Sequence, residues 1–575
     1  LLRAGGIVSP QQIAQFRSAR SDKEDDQRHP IVRLADQGWQ SATKPPFPLT
    51  AERLTRWLAE KLGLPYVRID PLKIDVEAVT GVVSQAYANR FHFLPIEVDQ
   101  QKVTVAVGEP FLREWERELT RVLKRKVERV LANPDDIARY RREFYGVSKS
   151  LTGAASRGDQ AVTRIQDFES LTELGRVGEP DANDQHVVHL VDWLLQYAFE
   201  QRASDIHIEP RRDQSNVRFR IDGVLHLVHE LPTPVAMAIT SRLKSLSRMD
   251  VADKRRPQDG RVRTKTPTGK EVEMRMSTMP TTFGEKLVMR IFDPQVLAKS
   301  FRELGFTDYE DHCWQAIVEN PHGVVLVTGP TGSGKTTTLY SALKQIARPE
   351  LNVCTIEDPI EMVEPQFNQM QVQPSIGIDF AAGVRTLMRQ DPDIIMVGEI
   401  RDRETASVAI QAALTGHLVL STLHTNDAPS AVTRLMDIGV QPFLIGATVL
   451  GIVAQRLVRT LCPHCKQPGT VDAEVWRTLI GPYQLAMPKR VAVANGCDEC
   501  RHTGYLGRSG IYEMLTTTPA LRALIRPDVT AATLREQALR DGMRPLRLGG
   551  ALKVAHGMTT PEEVIAVVST RDDAL

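Results

Sequence analysis

Residues 323–337 read Gly323-Val324-Val325-Leu326-Val327-Thr328-Gly329-Pro330-Thr331-Gly332-Ser333-Gly334-Lys335-Thr336-Thr337, and this stretch decides the fold. Gly323 to Thr328 is an apolar, β-branched run of strand length, and Lys335 to about Ile346 has the spacing of a helix. Between them, Gly329 to Thr336 fits G-x-x-x-x-G-K-[ST] at every position. Glycines let backbone N–H groups close around phosphate oxygens, and the helix that follows aims its positive end at the same anion. Gly329, Pro330, Thr331, Gly332, Ser333, Gly334, Lys335, Thr336 and Thr337 are therefore expected to hold a nucleoside triphosphate. Lys335 would reach its β- and γ-phosphates, and the Thr336 hydroxyl would bind Mg2+ through the nucleotide.

Working outward, three more apolar runs alternate with helical stretches between 306 and 458: Val353 to Glu357, Ile394 to Val397 and Leu418 to Thr422. That alternation predicts a parallel sheet covered by helices. Each run ends in polar groups, at the sheet edge that would carry the phosphate loop. Glu357, Asp358 and Glu361 follow the second run. Glu399 follows the third, placed to orient or deprotonate the attacking water. Gly398 stands where an Asp would usually precede that Glu, so help with magnesium is expected from the 357–361 acids. His424 follows the fourth run, where it or Thr422 would bond the γ-phosphate or report its loss.

Four of the six cysteines form two C-x-x-C pairs, Cys462/Cys465 and Cys497/Cys500, with residues 466–496 between them. Two thiolates from each pair suit one tetrahedral zinc ion, and four thiolates leave no open position for catalysis. Redox chemistry is the competing reading, but one pair would suffice for it and neither follows a thioredoxin-like strand. Cys313 and Cys354 stand alone, and the apolar run around Cys354 marks it as inert core.

The whole chain has 575 residues, enough for about four domains. A net charge of +1 disfavours a strongly basic nucleic-acid binder. No apolar run approaches the roughly 18 residues of a membrane helix. The opening Leu1-Leu2-Arg3-Ala4-Gly5-Gly6 lacks both an initiator Met and a signal-peptide core, so the chain is expected to begin inside its gene product. In the first 145 residues, Ala51 to Leu62 reads as a helix, and 93–98 with 102–107 as a strand pair about Asp99-Gln100. Charged helices are expected over 113–130 and 134–144. A Ser-, Gly- and acid-rich stretch at 146–185 reads as a flexible linker. A helix over 187–199 then leads into the alternating strands 205–210 and 217–222, and the tail from Pro519 reads as helical.

The phosphate loop, the Glu357/Asp358/Glu361 cluster, Gly398-Glu399-Ile400-Arg401-Asp402 and Thr422-Leu423-His424-Thr425-Asn426 occur in one order. That set resembles the secretion ATPases of the GspE/PulE/PilB family, strongly over 186 to about 515 and weakly over the first 145 residues. The resemblance implies an α/β fold, a RecA-like P-loop core with a preceding α+β, PAS-like domain. It divides the chain into a recruitment domain (1–145), linker (146–185), α+β domain (186–295), ATPase core (306–458), tetracysteine zinc module (459–512) and helical C-terminal region (513–575). Glu399, Glu357, Asp358 and His424 would then form the catalytic centre. Arg275 and Arg290 match family arginines that reach phosphate from the preceding domain, with Arg220, Arg261 and Lys254-Arg255-Arg256 as weaker candidates. Asp205, His207 and Glu209 share a strand face, and the resemblance favours a structural role for them over metal binding.

The implied cofactors are ATP, Mg2+ and Zn2+, and the implied assembly is a cytoplasmic homo-hexamer held at the inner membrane by platform proteins. The N-terminal domain would meet the cytoplasmic part of a membrane protein. Type II secretion is the expected system, with type IV pilus assembly as the alternative. Some relatives bind cyclic di-GMP through R-L-G-x-x-L repeats; no clear copy stands here, so that ligand is not expected. A nucleic-acid-dependent motor is the rival from another class. The near-zero charge and the lack of an aromatic-rich basic stripe speak against it, and no direct nucleic-acid contact is expected.

Overall fold

The structure, a computed structural model, describes residues 2, 5–18, 29–43, 46–69, 74, 76–155, 185–212, 214–266, 269, 271–292 and 299–568. The chain forms two compact units, Leu1–Val262 with Arg275–Arg290, and Arg263–Met274 with Ile291–Leu575.

The first unit begins with a three-stranded sheet. Strands β1 (Phe93–Val98) and β2 (Lys102–Val107) form an antiparallel hairpin, and β3 (Lys126–Leu131) runs parallel to β2. Asp99 closes the hairpin by accepting the N–H groups of Gln101 and Lys102 at 2.7 and 2.6 Å. The helix Ala51–Leu62 forms as its spacing predicts, capped by Thr50 and ended by Gly63 at φ 64°. The charged helix expected over 113–130 is half that length. It spans Glu114–Leu123, Lys124 breaks it at φ 52°, and the rest is strand β3. Pairing with β2 buries Val130 and Leu131, so tertiary contact overrides the helical propensity of the charged residues. The next helix runs Pro134–Ala155, into the stretch read as linker; residues 156–184 of that stretch lie outside the described residues.

Strands β4 (Asp205–Pro210), β5 (Gln214–Ile221), β6 (Val224–Pro232), β7 (Gln258–Lys265), β8 (Glu271–Thr281) and β9 (Gly284–Phe292) form one sheet in the order β6-β5-β4-β9-β8-β7. Helices Gln185–Glu200 and Thr233–Leu246 accompany it. The Asp-Gly turn after β5 has both residues at positive φ, 49° at Asp222 and 90° at Gly223, as a two-residue hairpin requires.

The second unit is built on a seven-stranded sheet. It contains β10 (Gly323–Thr328), β11 (Val353–Glu357), β12 (Asn368–Gln371), β13 (Ile394–Val397), β14 (Leu418–Leu423), β15 (Val449–Leu461) and β18 (Tyr505–Thr516), in the order β12-β11-β13-β14-β10-β15-β18. All neighbours are parallel except β15 and β18. Val324 and Leu326 enter one hydrophobic core while Val325 and Val327 enter the other. Burial on both faces is why β10 reads as an unbroken apolar run.

The boundaries expected at 458 and 512 cut through β15 and β18. These two strands close the core sheet, and the cysteine segment is an insertion between them, with its own antiparallel pair β16 (Gln467–Gly469) and β17 (Val491–Val493). The tail forms helices Pro519–Leu524, Ala531–Arg540, Leu546–Ala555 and Pro561–Val567, whose Leu521, Leu534, Ala551 and Val564 join the core that contains Val324. Among the described residues no helix is long and apolar enough to cross a membrane.

Candidate active site

The phosphate loop leaves β10 between β14 and β15. Gly329, Gly332 and Gly334 adopt φ of 149°, 80° and 87°, conformations that side chains resist. A Cβ at Gly329 would also lie 2.6 Å from the Gln455 carbonyl oxygen. Gln455, on β15, braces the loop from below: its amide donates to the Ser333 carbonyl at 2.6 Å and accepts from Thr338 Oγ1 at 2.8 Å. Lys335 Nζ donates to the carbonyls of Gly329 and Pro330 at 2.8 and 3.2 Å. Burial lowers the pKa of its ammonium, against the opposing pull of Glu399. The buried Ser333 hydroxyl has no hydrogen-bond partner among the described residues. An unpaired donor, a buried cation and open glycine amides fit a bound phosphate chain. Thr336 and Thr337 are half-buried on the first turn of the helix Lys335–Ile346; Pro330 and Thr331 are exposed.

Glu357, at the end of β11, is only 3% exposed. It accepts hydrogen bonds from Tyr340 Oη at 2.6 Å, Thr355 Oγ1 at 2.7 Å and Gln369 Nε2 at 3.1 Å. Burial, then the Glu357 charge, raises the Tyr340 pKa, so the phenol stays a donor. Asp358 is exposed beyond the strand end. Gly398 has a steric reason: a Cβ there would meet the Ile356 carbonyl and a Phe380 ring carbon, each at 3.3 Å, and the Glu357 Cα at 3.5 Å. An Asp at 398 would have to crowd the β11 backbone.

Glu399, Lys335, Arg401 and His424 come together at the sheet edge. Glu399 pairs with Arg401 on one oxygen, and His424 Nε2 lies 3.5 Å from the other. Burial lowers the His424 pKa, with Lys335 and Arg401 adding to it against Glu399, so the imidazole is neutral at pH 7. Thr422 donates to the Gly398 carbonyl at 2.8 Å, which ties β14 to the Glu399 strand end.

The four cysteines converge. Their sulfurs lie within 4.8 Å of one another, with Cys462–Cys497 at 3.8 Å, Cys465–Cys500 at 3.7 Å and Cys497–Cys500 at 3.8 Å. Thiolates about 2.3 Å from a tetrahedral zinc are about 3.8 Å apart, which matches. The Gly496 N–H points at the Cys465 sulfur from 3.3 Å, and those of Cys497 and Gly504 at the Cys500 sulfur from 3.1 and 3.2 Å; at Cys500 they outweigh burial and hold the thiol at about 7, whereas burial raises the thiols of Cys462 and Cys497. Cys354 is buried in the sheet, as expected of core.

In the first unit, Arg290 Nε lies 3.0 Å from Asp205 and Arg275 Nη2 lies 3.5 Å from Asp259, with both guanidiniums substantially exposed. Buried Glu209 accepts from Arg218 at 2.7 Å, Arg211 at 2.9 Å and Lys286 at 3.1 Å. Burial opposes its ionisation, but Arg218 and Lys286 overcome that and hold its pKa at about 2. Carboxylates satisfied by cations suit a structural face, and the cysteine cluster is the one metal-binding group found among the described residues.

Gln455, Tyr340, Arg456 and Glu513 were not singled out by the sequence reading. Gln455, Arg456 and Glu513 are buried polar groups in mainly apolar strands, and that mismatch is the signal that could have found them; Tyr340 lies in a mixed helix that offers no such signal.

Residues 181–566 match the family model described as type II/IV secretion system protein, and residues 62–151 match the MshEN domain. The type IV pilus assembly ATPase TfpB of Acinetobacter baylyi is 53% identical over 567 residues, covering 98% of this chain and 96% of that protein. The type IV pilus assembly ATPase PilB of Myxococcus xanthus is 41% identical over 525 residues, covering 89% and 90%. The type II secretion system protein E of Pseudomonas aeruginosa is 45% identical over 391 residues, covering 68% and 77%. With a phosphate loop, an acid and a histidine assembled on one sheet edge, and with this breadth of likeness, the chain belongs to the type II/IV secretion system proteins, a family of P-loop ATPases.

Proposed function

We propose that this chain hydrolyses ATP to drive pilus assembly at the inner membrane, working as a homo-hexamer. The observation that carries the hydrolytic part is the convergence of Glu399, His424 and Lys335 beside the glycine loop. In this reading the loop and Lys335 would hold the triphosphate, Thr336 and Glu357 would help to hold Mg2+, and the ion would supply positive charge to the phosphates. Asp358 adds negative charge at its rim. Glu399 orients the attacking water and takes its proton, and His424 senses the γ-phosphate. Arg275 and Arg290, both substantially exposed, would stabilise the charge on the transferred phosphoryl group. Cys462, Cys465, Cys497 and Cys500 would hold zinc, which would cross-link the insertion between β15 and β18 and keep it folded.

The pilus reading rests on the likeness to the two pilus assembly ATPases, which spans nearly the whole chain and includes the N-terminal region. Type II secretion, the system first expected, is supported over a smaller share of the chain, by a relative of comparable identity there. Residues 1–145 serve as the recruitment domain for the membrane platform in either case. Glu399→Gln should bind nucleotide and lose turnover; full turnover in that variant would remove the assigned base. In cells, deleting the gene should abolish surface pili. Loss of protein secretion with pili intact would select the second reading.

A further inference from the structure

The segment that carries His424 is tied down from its far side by groups outside every phosphate-site motif. The Thr425 N–H donates to Thr328 Oγ1 at 2.9 Å, which fixes the segment to the end of β10. Arg456 donates to the Asn426 carbonyl at 2.8 Å. Asp427 caps the helix Ala428–Asp437, accepting from the Ser430 N–H and hydroxyl, each at 2.8 Å. One oxygen of Asp427 also lies 3.1 Å from Arg535 Nη2, and both side chains are 9% exposed. The Ala428 N–H donates to Glu513 Oε1 at 2.8 Å. Arg535 comes from the tail helix Ala531–Arg540 and Glu513 from edge strand β18.

Ser430 alone gives Asp427 what a helix cap requires. A buried ion pair added to it gains little stability over apolar packing, because both charges lose water. What the pair does supply is a fixed direction for the loop. Two residues, Thr425 and Asn426, separate Asp427 from His424, and His424 meets Glu399 at 3.5 Å.

We infer that Arg535 and Glu513 are positioning residues for ATP hydrolysis: through Asp427 and Ala428 they hold the 424–427 loop so that His424 faces Glu399. The C-terminal tail is on this account part of the catalytic geometry. The inference rests on the reading of His424 and Glu399 given above.

The test is steady-state ATPase kinetics and fluorescent-ATP binding on the full chain. Asp427→Asn keeps the capping oxygen and removes the charge pair, so the helix start is preserved; Arg535→Gln removes the other partner. Each should lower kcat by about tenfold or more, in line with the cost of about 1 Å of misplacement, with nucleotide KM and Kd held within about twofold. The double variant should be no slower than the slower single one, and Arg535→Lys should recover part of the rate. On a His424→Ala background, Arg535→Gln should cost nothing further. Wild-type kcat in Asp427→Asn, or an undiminished loss from Arg535→Gln without His424, would overturn the inference while leaving the role of His424 standing. Full turnover in His424→Ala alone would strike the reading of His424 and this inference with it.

Discussion

Glu513 offers a stability measurement whose sign and size follow from its surroundings. It is buried on β18, next to Asp427, and burial first and that neighbour second push its pKa from 4.5 up to about 7, against Arg535 and the Ala428 N–H. In the unfolded chain the carboxyl ionises near 4.5, whereas in the folded chain it keeps its proton until about 7. The folded state therefore binds more protons across that interval, and its stability must fall as pH rises from 4.5 to about 7 and level off above. The interval corresponds to about 3 kcal/mol. Glu513→Gln keeps an oxygen for the Ala428 N–H and does not titrate. Relative to wild type, the variant should gain stability steadily from pH 5 to pH 8, approaching about 3 kcal/mol overall. Urea unfolding reported by the buried Trp314 and Trp476 of this unit, run on both proteins at each pH, reads that difference, and other titrating groups cancel in it. A gap between the two proteins that stays flat with pH would refute the reasoning.

Other outcomes are simpler to state. Lys335→Ala should abolish nucleotide binding, since it removes the buried cation that donates to the loop carbonyls; tight ATP binding by that variant would contradict the phosphate-loop role. Arg275→Ala and Arg290→Ala should lower turnover more than nucleotide affinity, and normal kinetics in both would end their assignment to the phosphates. Protein purified under reducing conditions should carry one zinc per chain by metal analysis. Chelation should increase hydrogen exchange over 460–512 and leave nucleotide affinity nearly unchanged, whereas metal-free protein with the same protection would remove the zinc site.

How much of this was legible in sequence follows from where side chains point. Strands β10, β11, β13 and β14 are buried on both faces, so each declares itself as a short apolar run, and the glycine loop and polar strand ends then fall at one edge. Strands β15 and β18 carry Gln455, Arg456 and Glu513 at buried positions, and these polar residues break the apolar signal. Position 455 braces the phosphate loop, 456 holds Asn426 and 513 holds Ala428. In the core sheet, β15 and β18 thus escape pattern reading because buried interior positions have been given over to groups around the site.

The same logic explains the division of labour among the acids. Pattern assigned Glu399 to the attacking water and the Glu357, Asp358 and Glu361 cluster to magnesium, but a strand end says nothing about depth. Packing separates them: Glu357 is sunk beneath Tyr340 and Gln369, Asp358 faces solvent, and Glu399, 15% exposed, is the one that meets both His424 and Arg401. The glycine before it permits this. With only a hydrogen at 398, the end of β13 lies against the Ile356 carbonyl and the Glu357 Cα, next to the strand end that carries the buried acid. A Cβ at 398 would press on the Ile356 carbonyl and the Phe380 ring, each at 3.3 Å, so in the function proposed above the carboxylate that usually precedes the Glu would come from β11.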